Sequence, residues 1–76
     1  MIKNRYDLLK YLIAFMSKDT HRFDDSDRKL SKIIDVYKLS EYLTDLKNEG
    51  FINVYIGGEI QILDAGIDFI LNSNNF

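Results

Sequence analysis

The residues able to do chemistry are few and scattered. The chain has one histidine, His21, and no cysteine. A lone imidazole with no second histidine and no carboxylate pair at ligand spacing reads as a solvated loop residue, not a metal ligand or a general base. Asp24 and Asp25 are adjacent, and Glu41 and Asp45 lie one helical turn apart. On a loop and on an exposed helix face such carboxylates are ordinarily solvated rather than set up for proton transfer. Gly57-Gly58 is followed by neither a lysine nor a helix, so it reads as a hairpin turn and not as a phosphate cradle. No Ser-His-Asp set and no metal, nucleotide or flavin motif is present. These residues predict no enzyme, no cofactor and no metal site.

What remains is charge. The net charge is −2, but residues 1–34 carry +3 and residues 35–76 carry −5. The cations gather early, at Lys3, Arg5, Lys18, Arg22, Arg28, Lys29 and Lys32. Duplex DNA carries one negative charge per ~1.7 Å of its axis, so this half of the chain is where a phosphate-binding surface would arise. The later half suits a basic partner instead.

Seventy-six residues make a single small domain over residues 1–76. Without cysteine no disulfide supports it, so its apolar residues must form the core. At 46% hydrophobic, with five Tyr and five Phe, the chain has enough for one. No apolar run reaches the ~18 residues of a membrane span, and no signal peptide is visible. The reading is a soluble cytoplasmic protein with no membrane association.

The positioning elements follow from periodicity. A first helix is expected over residues 5–17, capped by Asn4, with Asp7 in its first turn. Its apolar residues Leu8, Leu9, Tyr11, Leu12, Ile13, Phe15 and Met16 cover an arc of roughly 200°. That is wider than one neighbour requires. Either the helix is central and covered on two sides, or Tyr11 and Phe15 meet a second copy in a homodimer. Residues 18–25 read as a loop with Phe23 as its apolar anchor. A second helix is expected over residues 26–34, capped by Asp25 or Ser26, with Leu30, Ile33 and Ile34 inward. A tight turn follows at 34–36.

The third helix is the strongest signal. Asp35 caps it, Leu39, Leu43 and Leu46 form its stripe with Val36 and Tyr42 flanking, and Gly50 ends it. Two strands follow, at 51–55 and 59–63. A three-residue loop, 56–58, sets Val54 opposite Ile60 and Ile52 opposite Ile62, with Gly58 at the left-handed position of a type I turn and bulge. A two-residue loop would mix the faces. Asp64 is expected to cap a last helix over 65–72, striped by Ile67, Ile70 and Leu71 with Phe69 beside them. The tail N-S-N-N-F reads as polar and frayed unless Phe76 docks.

Residues 30–52, L-S-K-I-I-D-V-Y-K-L-S-E-Y-L-T-D-L-K-N-E-G-F-I, resemble the string in which a second helix leads through a turn into the recognition helix of a winged helix-turn-helix domain. The spacing of Leu43, Leu46, Gly50, Phe51 and Ile52 carries the resemblance. Residues 63–71, L-D-A-G-I-D-F-I-L, are similar to the ending of small bacterial and phage winged-helix proteins such as the YjcQ family. The resemblance implies an α+β fold of three helices, a two-stranded hairpin wing and a short C-terminal helix. It also implies a DNA-binding or transcription-related function. The turn before the third helix lacks the family's usual glycine, and the wing tip Gly57-Gly58-Glu59 lacks the usual cation.

Two functions are therefore expected to compete. In the first, Arg28, Lys29 and Lys32 hold the backbone of double-stranded DNA while Tyr37, Lys38, Ser40, Glu41 and Thr44 approach base edges. In the second, the acidic surface of Glu41, Asp45 and Glu49 with the hairpin docks a basic protein, in the manner of a nucleic-acid mimic.

Overall fold

The computed structural model describes residues 2–73, and Phe76 lies outside them. The order is α1 (Arg5–Phe15), β1 (Arg22–Asp24), a 3-10 turn (Leu30–Lys32), α2 (Val36–Asn48), β2 (Ile52–Val54), β3 (Glu59–Ile62) and α3 (Asp64–Ser73). The strands form one antiparallel sheet in the order β1-β3-β2. Over the described residues the architecture is α+β, with three helices and three strands.

Two expectations are corrected. The sheet is not a two-stranded hairpin, because the segment expected to be a loop supplies β1. Arg22, Phe23 and Asp24 lie opposite Gln61, Ile60 and Glu59. So short a strand turns only Phe23 inward, 4% exposed, and one inward residue leaves no visible alternation. The second helix is also absent. Residues 25–34 form a chain of turns with one 3-10 turn. The Asp24 carboxylate accepts from the Ser26 N–H, the Asp25 carbonyl from the Arg28 N–H, and the Asp25 carboxylate from the Leu30 N–H. Arg28 sits at φ +59, a left-handed residue that interrupts any α-helix passing through it. Leu30 is buried as expected, Ile34 is half-buried, and Ile33 is exposed.

The first helix starts where its cap requires. Asn4 accepts from the Asp7 N–H, and Asp7 accepts from the Lys3 N–H. It ends at Phe15, two residues early, because the Ser17 N–H is drawn to the Arg22 carbonyl of β1. The start of α2 is capped by Asp35, whose carboxylate accepts from Tyr37 and Lys38. At its end Gly50 takes φ +80, Phe51 N–H donates to the Leu46 carbonyl and Gly50 N–H to the Lys47 carbonyl. This paired closure satisfies two orphan carbonyls and aims the chain into β2. The expected cap of α3 differs. The Leu63 carbonyl accepts the first helical bonds from Gly66 and Ile67, so Asp64 is already inside the first turn. Its carboxylate there faces the positive end of the helix dipole.

The hairpin register is the one the apolar rows require: Ile52 opposite Ile62 and Val54 opposite Ile60. The loop is the three residues Ile56, Gly57 and Gly58, closed by the Tyr55 N–H on the Glu59 carbonyl. The turn type differs from expectation, since Gly57 and Gly58 both have positive φ, +95 and +90. A type I turn would need negative φ at Gly57. A Cβ on Gly58 would lie 2.9 Å from the Asp25 carbonyl, so this glycine also lets the hairpin close against the end of β1.

One face of the sheet carries Phe23, Ile52, Ile60 and Ile62, and these join Leu8, Leu9, Leu12, Leu30, Leu39, Leu46 and Ile70 in one core. The helix α1 packs against α2 and α3, and its Tyr11 ring meets Phe23 of β1 at 6.0 Å. The wide apolar arc is thus covered on more than one side. Phe69 stacks at 4.9 Å on both Tyr6 and Phe51, tying α3 to α1 and to the start of β2. Leu71, expected in the apolar stripe of α3, is 61% exposed, and Val36, expected to flank the α2 stripe, is 56% exposed. Among the described residues no helix is long and apolar enough to cross a membrane.

Candidate nucleic-acid interface

The outer face of α2 follows from its inner one. At ~100° per residue, Tyr37, Glu41 and Thr44 fall on the stripe opposite Leu39, Leu43 and Leu46, with Lys38 and Ser40 on its flanks. The structure exposes all five of these polar positions, Tyr37 most of all at 82%. Among the described residues no hydrogen bond or ion pair engages their side chains. Arg28, Lys29 and Lys32 are exposed on the segment that leads into α2. The 3-10 turn carrying Lys32 packs on α2, and the chain passes from it into that helix through residues 33–35. Lys29 lies 3.8 Å from Asp27, with both side chains well solvated. A pair of that kind is weak and exchanges readily for another anion.

Other cations of the first half are spoken for. Arg5 makes two contacts with Glu49, at 3.1 and 3.2 Å, and Tyr6 donates to the same carboxylate at 2.8 Å. Arg22 meets Glu59 at 2.6 Å and lies over the Tyr55 ring at 5.2 Å. Tyr55 in turn donates to Gln61. These groups cover the outer, polar face of the sheet. In the sequence Arg5 and Arg22 are indistinguishable from free cations, because their acidic partners lie 44 and 37 residues away. Only the fold brings each pair together.

The Arg5–Glu49 contact has an electrostatic signature. The hydrogen bond from Arg5 holds the Glu49 carboxyl below its ordinary range, and the bond from Tyr6 adds to this. The same Glu49 pushes the Tyr6 hydroxyl up and the Arg5 guanidinium further up. A lowered carboxylate pKa contributes stability above the unfolded-chain value and loses it as pH falls through the folded value. Replacing Arg5 by methionine is therefore expected to move the Glu49 titration upward and to shrink the stability lost on acidification. A carbon-detected NMR titration of Glu49 in both proteins checks this, and an unchanged midpoint would show that the pair has no weight in solution. The Asp24 carboxyl is also held low, by the Ser26 N–H.

The remaining sequence candidates are placed as follows. His21 is half-buried rather than fully solvated. It sits at φ +57, its N–H bonded to the Ser17 carbonyl and its carbonyl to the Ile62 N–H. Phe15 is 66% exposed, but Tyr11 is half-buried between Phe15 and Phe23, so the two do not form one open dimer patch. Glu41 is exposed, Asp45 half-buried, and Glu49 engaged by Arg5 and Tyr6. The three acids do not present a uniform acidic stripe. No protein-family model, curated protein or solved structure matches this chain.

Proposed function

We propose that this is a small DNA-binding domain of winged-helix type in which α2 is the recognition helix and the β2–β3 hairpin is the wing. The observation that carries the reading is the outer stripe of α2. Its Tyr37, Lys38, Ser40, Glu41 and Thr44 are exposed and unengaged, and Arg28, Lys29 and Lys32 lead into its start. In this reading the three cations contact phosphates and fix the register, and the α2 stripe meets base edges in the major groove. A carboxylate such as Glu41 accepts from a cytosine amino group, whereas against phosphate it repels. The acidic-docking alternative is the weaker of the two, because Arg5 and Tyr6 already occupy Glu49.

The test is duplex binding followed by fluorescence anisotropy over a salt series. The logarithm of affinity is expected to fall linearly with the logarithm of salt. Lys29→Ala and Lys32→Ala should each weaken binding to all sequences alike and reduce the slope by about 0.9. Glu41→Gln should leave the salt slope unchanged but alter sequence preference. Absence of binding at low salt, or binding indifferent to salt, would remove the proposal.

A further inference from the structure

Phe15 ends α1 with two thirds of its surface in solvent, and DNA binding makes no use of it. Its ring is tilted against Tyr11 at 4.7 Å, and Tyr11 meets Phe23 edge-on at 6.0 Å. With Met16 these rings line a cleft of about 430 Å³ that is bordered by β1 and by Lys29. Small-molecule sites run from ~300 to ~1,000 Å³ and combine apolar and aromatic walls with a few polar groups. The polar groups here come from a strand edge. The His21 carbonyl accepts from Ile62 and the Asp25 N–H donates to Gly58, so the alternation of an antiparallel ladder points the N–H and C=O of Arg22 and Asp24 away from β3. Both residues are exposed. The Arg22 carbonyl accepts from Ser17, which leaves two N–H groups and the Asp24 carbonyl without partners among the described residues. Lys29 adds an ammonium, whose pair with Asp27 at 3.8 Å is solvated. The charged side chains of β1 are turned elsewhere. They alternate with Phe23 and lie on the other face of the sheet, where Arg22 meets Glu59 and Asp24 accepts from the Ser26 N–H at 2.9 Å.

We propose that this cleft binds a small aromatic carboxylic acid, with its ring against Tyr11 and Phe15 and its carboxylate on Lys29 and the outward N–H groups of β1. The occupant follows from what borders the cleft. An ammonium and two N–H donors outnumber the single free carbonyl, so an acceptor is favoured, and an anionic one most. The tilted rings of Tyr11 and Phe15 offer a flat apolar ligand both area and ring contacts. The bond between Lys29 and Asp27 is weak enough to exchange for the ligand's carboxylate. A peptide strand fits this edge less well. With the Arg22 carbonyl bonded to Ser17 and the Ser26 N–H bonded to Asp24, only Asp24 could form a complete bonded pair with it. The site shares Lys29 with the DNA reading and does not depend on that reading.

An amide-resolved NMR titration of the full chain with indolepropionate tests it, with the neutral indolepropionamide as the second ligand. The acid is expected to saturate with a dissociation constant below about 1 mM. Shifts should gather at Phe15, Met16, Arg22, Asp24 and Lys29, with the Asp24 amide proton moving downfield as it donates to the carboxylate. Lys29→Gln should weaken the acid about fivefold, and Phe15→Ala about tenfold. Both positions are exposed, so neither variant should disturb the fold, which the unchanged spectrum outside the cleft will show. The amide ligand should bind the wild type about fivefold more weakly than the acid does, and should not distinguish the wild type from Lys29→Gln. That last comparison separates a charge contact at Lys29 from a merely structural effect of the substitution. A titration that does not saturate, shifts that miss the cleft, equal binding of acid and amide, or undiminished binding to Phe15→Ala would each overturn the proposal.

Discussion

Leu46→Ala is expected to destabilise this protein by about 3 kcal/mol, more than half of what holds so small a domain together. Leu46 is fully buried, and it lies in the same core as Leu8, Leu12, Ile52 and Ile62. Removing its isobutyl group forfeits both the transfer free energy and the contacts around the cavity left behind. The domain has little to spare, since small domains are typically stable by only about 5 kcal/mol. In thermal unfolding followed by circular dichroism, each kcal/mol shifts the midpoint of a domain this size by about 4–8 °C. A fall of roughly 12–24 °C is therefore expected. Leu71→Ala provides the contrast. The periodicity of the last helix puts Leu71 inward, but it is 61% exposed, and its truncation should cost less than about 0.5 kcal/mol. Equal losses at the two leucines would contradict the packing described.

Gly66→Ala sets local propensity against tertiary contact. In a helix interior, alanine is better than glycine by about 1 kcal/mol, so propensity alone forecasts a more stable α3. The structure forecasts the reverse. A Cβ on Gly66 would lie 2.7 Å from the Phe51 carbonyl oxygen and 3.0 Å from the Phe51 Cβ. That carbonyl already accepts from Leu63 at 2.9 Å, so it is held in place by the hairpin. To admit the methyl group α3 must back away, which loosens the stack of Phe69 between Tyr6 and Phe51. A net loss of about 1–3 kcal/mol in urea unfolding is expected, as for an overpacked core. Near-UV circular dichroism should weaken with it, because it reads the tyrosine environment. A stabilised Gly66→Ala protein would mean that the close approach of α3 to Phe51 does not hold.

Much of the fold is legible in the amino acids themselves, and where it is, the cause is local. Asn4 and Asp35 cap helices with their own side chains, and Gly50 supplies the left-handed residue that closes α2. The hairpin register follows from alternation, because a slip by one residue would turn Ile52 and Ile62 into water. The outer stripe of α2 is legible for the same reason, as the complement of its leucines. Tyr37, Lys38, Ser40, Glu41 and Thr44 are exposed where periodicity puts them.

Only the tertiary structure decided the rest, because the deciding partners are far apart in the chain. Residues 22–24 become a strand through the open edge of β3, and that demand fixes Asp25 against Gly58 and breaks up the helix that residues 26–34 were expected to form. Arg5 and Arg22 leave the pool of free cations because Glu49 and Glu59 reach them across the fold. Periodicity says which side of α3 is apolar, but the position of Phe51 selects Ile70 for the core and leaves Leu71 outside. Helical and strand periods are set by bonds between near neighbours, so the order of residues encodes them directly. Which edge is paired, which charge is neutralised and which half of an apolar arc is covered depend on surfaces that exist only once the chain has closed on itself.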